Sequence, residues 1–170
     1  MILAAARERF ATSGYQAATI RAIAADARID PSMVMRYFGS KDQLFAAAAE
    51  FDLEFPDLSH LPRAELGAAL VAAFLNRWTR DEGLIVLLRS ATTNEEAAER
   101  MRGLFAQQLL PAVARLRPVG AERCAGLIGT QVLGMALCRF VLKIPPVVTM
   151  TDEELVHWLA PTLQRYLDEA

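Results

Sequence analysis

Apolar residues in this chain recur at intervals of three and four, and no run of them alternates with period two. Such spacing puts them on one stripe of an α-helix, whereas a half-buried strand needs every second residue. With the β-branched residues scattered, the expected fold class is all-α, with about nine helices. At 54% hydrophobic and 22% charged over 170 residues, the chain has enough apolar material to bury a core without disulfides. That excludes disordered, collagen-like and low-complexity chains.

A first helix is expected over 2–13, with Ile2, Leu3, Ala6 and Phe10 on one face and Gly14 as a left-handed cap at its end. Thr19 caps a second, in which Ile20, Ile23, Ala24 and Ala27 form the buried stripe. Asp30 caps a third, and Pro31 takes its first position, where a missing N–H costs nothing. Val34 and Phe38 point inward from it, and Gly39 stops it. Ser40 and Gln43 form a capping box that opens a fourth helix, expected to run to about Glu54. Only Ala27-Arg28-Ile29 separate the second helix from the third, and two short helices on so tight a connection make a helix-turn-helix.

A loop punctuated by Pro56, Ser59, His60 and Pro62 follows. Beyond it a fifth helix is expected from Leu66 to near Gly83, a sixth over 84–91, and a seventh from an Asn94 cap to Leu116 with a kink at Pro111. An eighth spans 121–143, and a second capping box, Thr151 with Glu154, opens the ninth. In the eighth, Gly126, Thr130 and Gly134 make a row of small residues that another helix can approach. Helices eight and nine are apolar on more than one face, so a homodimer through them is the economical cover. The run 126–142 is nearly long enough to span a bilayer, but Thr130, Gln131, Arg139 and three glycines interrupt it. It reads as a buried helix, with no membrane contact expected. The expected domains are a three-helix bundle carrying the helix-turn-helix over 1–45 and a helical dimerisation domain over 46–170, with the fourth helix bridging the two.

The formal net charge of −2 hides an asymmetry. Residues 1–45 carry six basic groups against four acidic, and the remainder twelve against sixteen. A polyanion is therefore expected only at the front, and it must be recognised by geometry as well as charge. The outward side of the third helix presents Ser32, Met33, Arg36 and Tyr37, groups that reach base edges and phosphates. Lys41 stands at the amino end of the fourth helix, where its ammonium and the free amides make a phosphate site. An ordinary three-helix bundle with a solvated face has the same geometry.

Over its first 45 residues the chain resembles the tetracycline-repressor (TetR) family of bacterial transcription regulators. The resemblance rests on Ile2-Leu3-Ala4-Ala5-Ala6 with Phe10 and Gly14-Tyr15, on Thr19-Ile20-Arg21-Ala22-Ile23-Ala24, and on Tyr37-Phe38-Gly39-Ser40-Lys41-Asp42-Gln43-Leu44-Phe45. The later segments Leu88-Arg89-Ser90-Ala91 and Leu159-Ala160-Pro161-Thr162-Leu163-Gln164-Arg165-Tyr166-Leu167 resemble a subgroup common in actinobacteria. The resemblance implies a dimeric repressor reading successive major grooves of a palindromic double-stranded DNA operator, and released by a small apolar or amphipathic effector. It also implies that Thr19 and Arg21 contact phosphate, that Ser32, Met33 and Arg36 face bases, and that Tyr37 and Lys41 anchor the DNA backbone. Three departures stand out. Arg28 occupies the turn position where the family usually has glycine, so it must take a left-handed conformation at about 1 kcal/mol or remodel the turn; exposed there, it joins the DNA-contact candidates. Met35 replaces a tyrosine that often touches phosphate. The first helix begins at residue 2, where relatives usually carry a basic arm.

Phe51, Phe74, Trp78, Met101, Phe105 and Met135 are candidate walls of an effector cavity, with Gln108, Gln131 and Arg139 as its polar groups. Such stripes at helical spacing are more often plain core. Arg139 in an apolar helix must find a carboxylate in this chain, across a dimer, or on an acidic ligand; the pair within the structure is the favoured expectation. His60 and His157 have no Cys, Asp or Glu at zinc-ligand spacing, and Cys124 and Cys138 lack a clustered base. No glycine-rich phosphate loop, G-x-S-x-G or H-E-x-x-H occurs. Neither cofactor, metal nor enzymatic activity is expected, and two cysteines with no secretory segment suit the cytoplasm. The open readings are an effector-responsive repressor, a regulator of the same fold without a small-molecule effector, and a small helical enzyme.

Overall fold

The computed structural model describes residues 1–49 and 51–169, and every regular element in them is helical. In chain order these are α1 (Ile2–Ala17), α2 (Ile20–Asp26), α3 (Pro31–Phe38), α4 (Lys41–Ala48), α5 (Leu66–Arg80), α6 (Glu82–Ala91), α7 (Glu95–Leu104), α8 (Leu110–Leu116), α9 (Ala121–Ala136), α10 (Pro145–Thr149) and α11 (Asp152–Glu169). They pack as two compact units, Met1–Phe51 with Glu82–Met101, and Asp52–Asp81 with Arg102–Ala170. Helix α6 therefore belongs with the N-terminal helices, although thirty residues of the other unit separate it from them in sequence.

The first unit closes on Ala6, Phe10, Ile23, Ala24, Val34, Leu44, Phe45 and Val86. Phe45 is its hub, edge-on to Phe10 at 4.8 Å, to Tyr15 at 5.1 Å and to Phe51 at 5.8 Å, geometries that aromatic quadrupoles favour. Gly14 kinks α1 instead of ending it: its φ of 71° with ψ of 170° breaks the helical path, and one further turn then carries the chain to Ala17. Helix α4 stops at Ala48, short of Glu54. The Nε–H of Arg7 donates to the Ala48 carbonyl at 3.1 Å, and the Arg100 guanidinium donates to the carbonyls of Ala47 and Ala49. Two guanidiniums thus take carbonyls at the helix end that have no partner inside it. At the other end Ser40 Oγ accepts from the Gln43 amide at 3.1 Å, while the Ser40 N–H donates to Phe38, so Ser40 caps the helix without the expected return bond.

In the second unit the main packing is α5 against α11. Gly67 permits it: a Cβ there would lie 2.6 Å from the Ala160 carbonyl, and the Gly67 N–H donates to Gln164 Oε1 at 2.9 Å. Arg63 and Arg117 both donate to the Leu167 carbonyl at 2.7 Å, closing the carboxyl end of α11. At its amino end Thr151 and Glu154 form the full reciprocal capping box, at 3.1 and 2.7 Å. The expected break between the fifth and sixth helices moves to Asp81, leaving Gly83 inside α6. The expected seventh helix is divided, with a π-helical turn, Phe105–Leu109, widening the backbone just before Pro111, whose ring cannot continue a regular helix. A second π turn, Leu137–Val141, ends α9, and α10 is an element that the spacing did not suggest.

Helix α9 buries Cys124, Ala125, Ile128, Gly129, Val132, Met135 and Ala136. The small-residue row lies on its other side: Thr130 and Gly134 are exposed, and nothing comes within 4 Å of a Cβ built on Gly126 or Gly134. From Ala121 to Val141 the helix and its π turn are long and apolar enough to cross a membrane, yet its buried positions form only one face. The Trp158 ring on α11 is also exposed.

Candidate nucleic-acid interface

The junction between α2 and α3 is made by local chemistry. Thr19 Oγ1 accepts from the Ala22 amide at 3.1 Å and starts α2. At the other end Arg28 has φ 56°, so of the two choices left to it, the left-handed one is taken. Its N–H donates to Ala25 and that of Ile29 to Ala24, both at 3.0 Å, the double bond pattern of a left-handed helix cap. Ile29 packs on the core. Asp30 then caps α3, accepting from the Ser32 amide at 2.8 Å and from the Ser32 hydroxyl, and these bonds hold its carboxyl below the ordinary carboxylate range.

Val34 is fully buried and fixes the rotation of α3. Ser32 and Arg36 stand one turn apart on the side opposite Val34, whereas Met33 and Tyr37, also one turn apart, flank it. Ser32, Arg36 and Tyr37 are exposed, Tyr37 by 67%. Met33 is half-buried instead of fully outward, and Met35 is exposed. Thr19, Arg21 and Arg28 are exposed on and after α2.

Lys41 is half-buried at the start of α4, its Nζ 3.2 Å from the Gln16 carbonyl and 4.4 Å from the centre of the Tyr15 ring. A carbonyl and an aromatic face both suit an ammonium. The Tyr15 hydroxyl donates to Asp42 Oδ1, and Arg89 of α6 forks onto Asp42 Oδ2 with Nε at 3.1 Å and Nη2 at 2.7 Å. Burial, then the Asp42 carboxylate, push the Tyr15 phenol up to about 12. The same carboxylate holds the Arg89 guanidinium protonated more firmly. Asp26 is bridged by Arg9 at 2.6 Å. Three acidic groups of the first 45 residues, Asp26, Asp30 and Asp42, are thus occupied within the unit, whereas Arg21, Arg28 and Arg36 have no ion pair among the described residues.

Neither Arg89 nor Tyr15 stood out as a site residue in the sequence; both were visible only inside longer motifs. The candidate effector residues are less gathered. Phe51 and Met101 lie in the first unit, half-buried, and the others in the second. Buried Phe74 meets Phe55 edge-on at 5.2 Å, and buried Trp78 stacks on Phe140 at 6.5 Å. Phe105 packs near Gly129, Gln108 Oε1 accepts from the Leu53 amide at 2.7 Å, Met135 is buried, and Gln131 is half-buried. Arg139 finds its partner in the chain, bridging Asp152 at 3.0 Å and donating to the carbonyls of Val147 and Met150 at 3.1 and 2.8 Å. A groove of about 640 Å³ between α5 and α11 is lined instead by Leu75, Asn76, Thr79, Arg80, Val156 and His157.

Comparison with known proteins agrees with this geometry. Residues 2–48 match the profile described as bacterial regulatory proteins, tetR family, and residues 64–167 match the tetracyclin repressor-like C-terminal domain. Among solved structures, a TetR-family regulator from Streptomyces coelicolor A3 is 24% identical with a TM-score of 0.55, covering 99% of this chain and 93% of that one. A transcriptional regulator from Rhodococcus sp. Rha1 is also 24% identical, with a TM-score of 0.57 and coverage of 98% and 94%. At that identity the likeness is one of fold. A search of the curated proteins finds no match to this sequence.

Proposed function

Because the chain belongs to the tetracycline-repressor family of bacterial regulatory proteins, we propose that it represses transcription in the cytoplasm by binding a palindromic operator as a homodimer, and leaves the operator when a small apolar or amphipathic effector binds the second unit. The observation that carries the DNA-reading part is α3, a two-turn helix capped at both ends, locked by buried Val34 and presenting Ser32, Arg36 and Tyr37 to solvent. On this reading Ser32, Met33 and Arg36 face bases, while Thr19, Arg21, Arg28, Tyr37 and Lys41 hold phosphates. The uncovered faces of α9 and α11 support a dimer through those helices, which would set two reading helices about 34–36 Å apart for consecutive turns of the duplex.

Three variants test it. Arg36→Ala relaxes sequence preference, whereas Tyr37→Ala and Lys41→Ala weaken operator and random duplex alike, each with a salt slope shallower by about 1. Unchanged binding in all three overturns α3 as the reader. A second reading, the same regulator without a small-molecule effector, is favoured by one set of contacts: Gln108 and Arg139 are engaged inside the chain, and Phe74 and Trp78 are packed on other rings. A denaturation screen with apolar and amphipathic compounds separates the two. A compound that raises the midpoint and lowers operator affinity supports the effector; its absence supports the second reading.

A further inference from the structure

The start of α4 holds a conflict. Lys41 serves as a phosphate anchor in the proposed function, and the residue after it is an acid. A carboxylate there is favoured by the helix dipole, but it repels a phosphate and competes for the ammonium. The structure resolves this from α6. Arg89 forks onto one Asp42 oxygen at 3.1 and 2.7 Å, and the other oxygen accepts the Tyr15 hydroxyl. The ring of Tyr15 then faces the Lys41 ammonium at 4.4 Å, and the Gln16 carbonyl holds that ammonium at 3.2 Å. The Gln16 side chain is tied in turn to Glu82, also on α6.

We propose that Arg89 is a positioning residue for DNA binding: acting through Asp42 and Tyr15, it keeps Lys41 aimed at phosphate and cancels the Asp42 charge next to it in the chain. The inference rests on the reading of Lys41 as an anchor. With Glu82 counted, the cations Lys41 and Arg89 balance the carboxylates Asp42 and Glu82 at this corner of the unit; without the guanidinium the corner carries a net negative charge that repels phosphate, and Asp42 is free to draw the ammonium to itself. Since Arg89 acts through Asp42, neutralising Asp42 as well must restore what the loss of Arg89 removes. A direct contact between Arg89 and phosphate would show no such restoration.

The test is fluorescence anisotropy on a labelled duplex of random sequence at low salt, which reads phosphate binding and needs no operator. Lys41→Ala weakens binding by about tenfold, and its salt slope falls by about 1. Arg89→Gln approaches the same loss and slope, Arg89→Lys retains most of the affinity, and the double variant D42N/R89Q returns to within about threefold of the parent. Tyr15→Phe, which removes only the hydroxyl, loses about threefold. Far-UV circular dichroism accompanies each variant, and the half-exposed Arg89–Asp42 pair is of a kind whose removal leaves a fold intact. Parent-like binding by Arg89→Gln, or a double variant no better than the single, overturns the proposal while the Lys41 reading stands. Parent-like binding by Lys41→Ala overturns both.

Discussion

The two compact units dispose of their awkward groups in opposite ways. Over its first 45 residues the first unit engages Asp26, Asp30 and Asp42 in bridges or a cap and leaves Arg21, Arg28 and Arg36 facing solvent. In the second, three arginines donate to backbone carbonyls, Arg63 and Arg117 to Leu167 and Arg139 to Val147 and Met150, and apolar surface is left outward at Trp158 and along the glycine row of α9. Outward cations suit a polyanion, and an outward apolar face suits another apolar face. On the proposed function, the first surface reads DNA and the second assembles the dimer.

The strongest way to break this comparison is to jam one unit and watch the other. Gly67→Ala forces a Cβ to 2.6 Å from the Ala160 carbonyl and should destabilise the second unit by about 3 kcal/mol. Hydrogen exchange read by mass spectrometry should speed up in α5 and α11 while α2 and α3 keep their protection; uniform loss would contradict separate cores. Next in size is assembly. Gly134→Glu puts a charge in the open row of α9 and should weaken the dimer about a hundredfold, roughly 2.7 kcal/mol, lowering operator affinity without unfolding the chain. Sedimentation at several concentrations measures it, and a dimer of parent strength would move the interface elsewhere.

A smaller effect comes from Tyr15. Its phenol is raised from 10.0 to about 12 in the folded chain, so the folded state holds the proton more firmly than the unfolded one. The stability this represents is complete below pH 10 and is lost as pH rises from 10 toward 12. The urea midpoint of the first unit should fall across that window, and Tyr15→Phe should flatten the fall; an unchanged slope would mean that the phenol is not held in the buried, Asp42-bonded setting described. The smallest concerns Arg28. Its φ of 56° strains a non-glycine residue, so Arg28→Gly should stabilise the first unit by about 0.5–1 kcal/mol while weakening duplex binding if the guanidinium contacts DNA. Destabilisation in thermal melts would show that the side chain, not the backbone, governs the turn.

What was legible in the sequence was mostly local. The caps at Asp30, Asn94 and Thr151 join residues two or three apart, so spacing reveals them. The dilemma at Arg28 was also legible, because a three-residue connection leaves few backbone solutions. The end of α4 was not: Arg7 reaches it across 41 residues, and Arg100 across more than fifty. Helix α10 stayed hidden for a similar reason. Two prolines read as a loop, yet Pro145 starts a single turn, and Arg139 holds the following carbonyls. In the site, the outward residues of α3 follow from its 3.6-residue period, apart from half-buried Met33. The Tyr15–Asp42–Arg89 chain joins residues 27 and 47 apart, which no periodicity encodes.

The central claim is that the first unit reads DNA in pairs. Selecting bound sequences from a random duplex pool with the purified chain, followed by salt titration of the winners, addresses it directly, because the protein itself picks out the operator. The account predicts a palindromic consensus of two half-sites about one helical turn apart, bound with a steep salt slope. Enrichment of a single half-site by a folded monomer would contradict the dimer, and no enrichment by a folded dimer would contradict α3 as the reader.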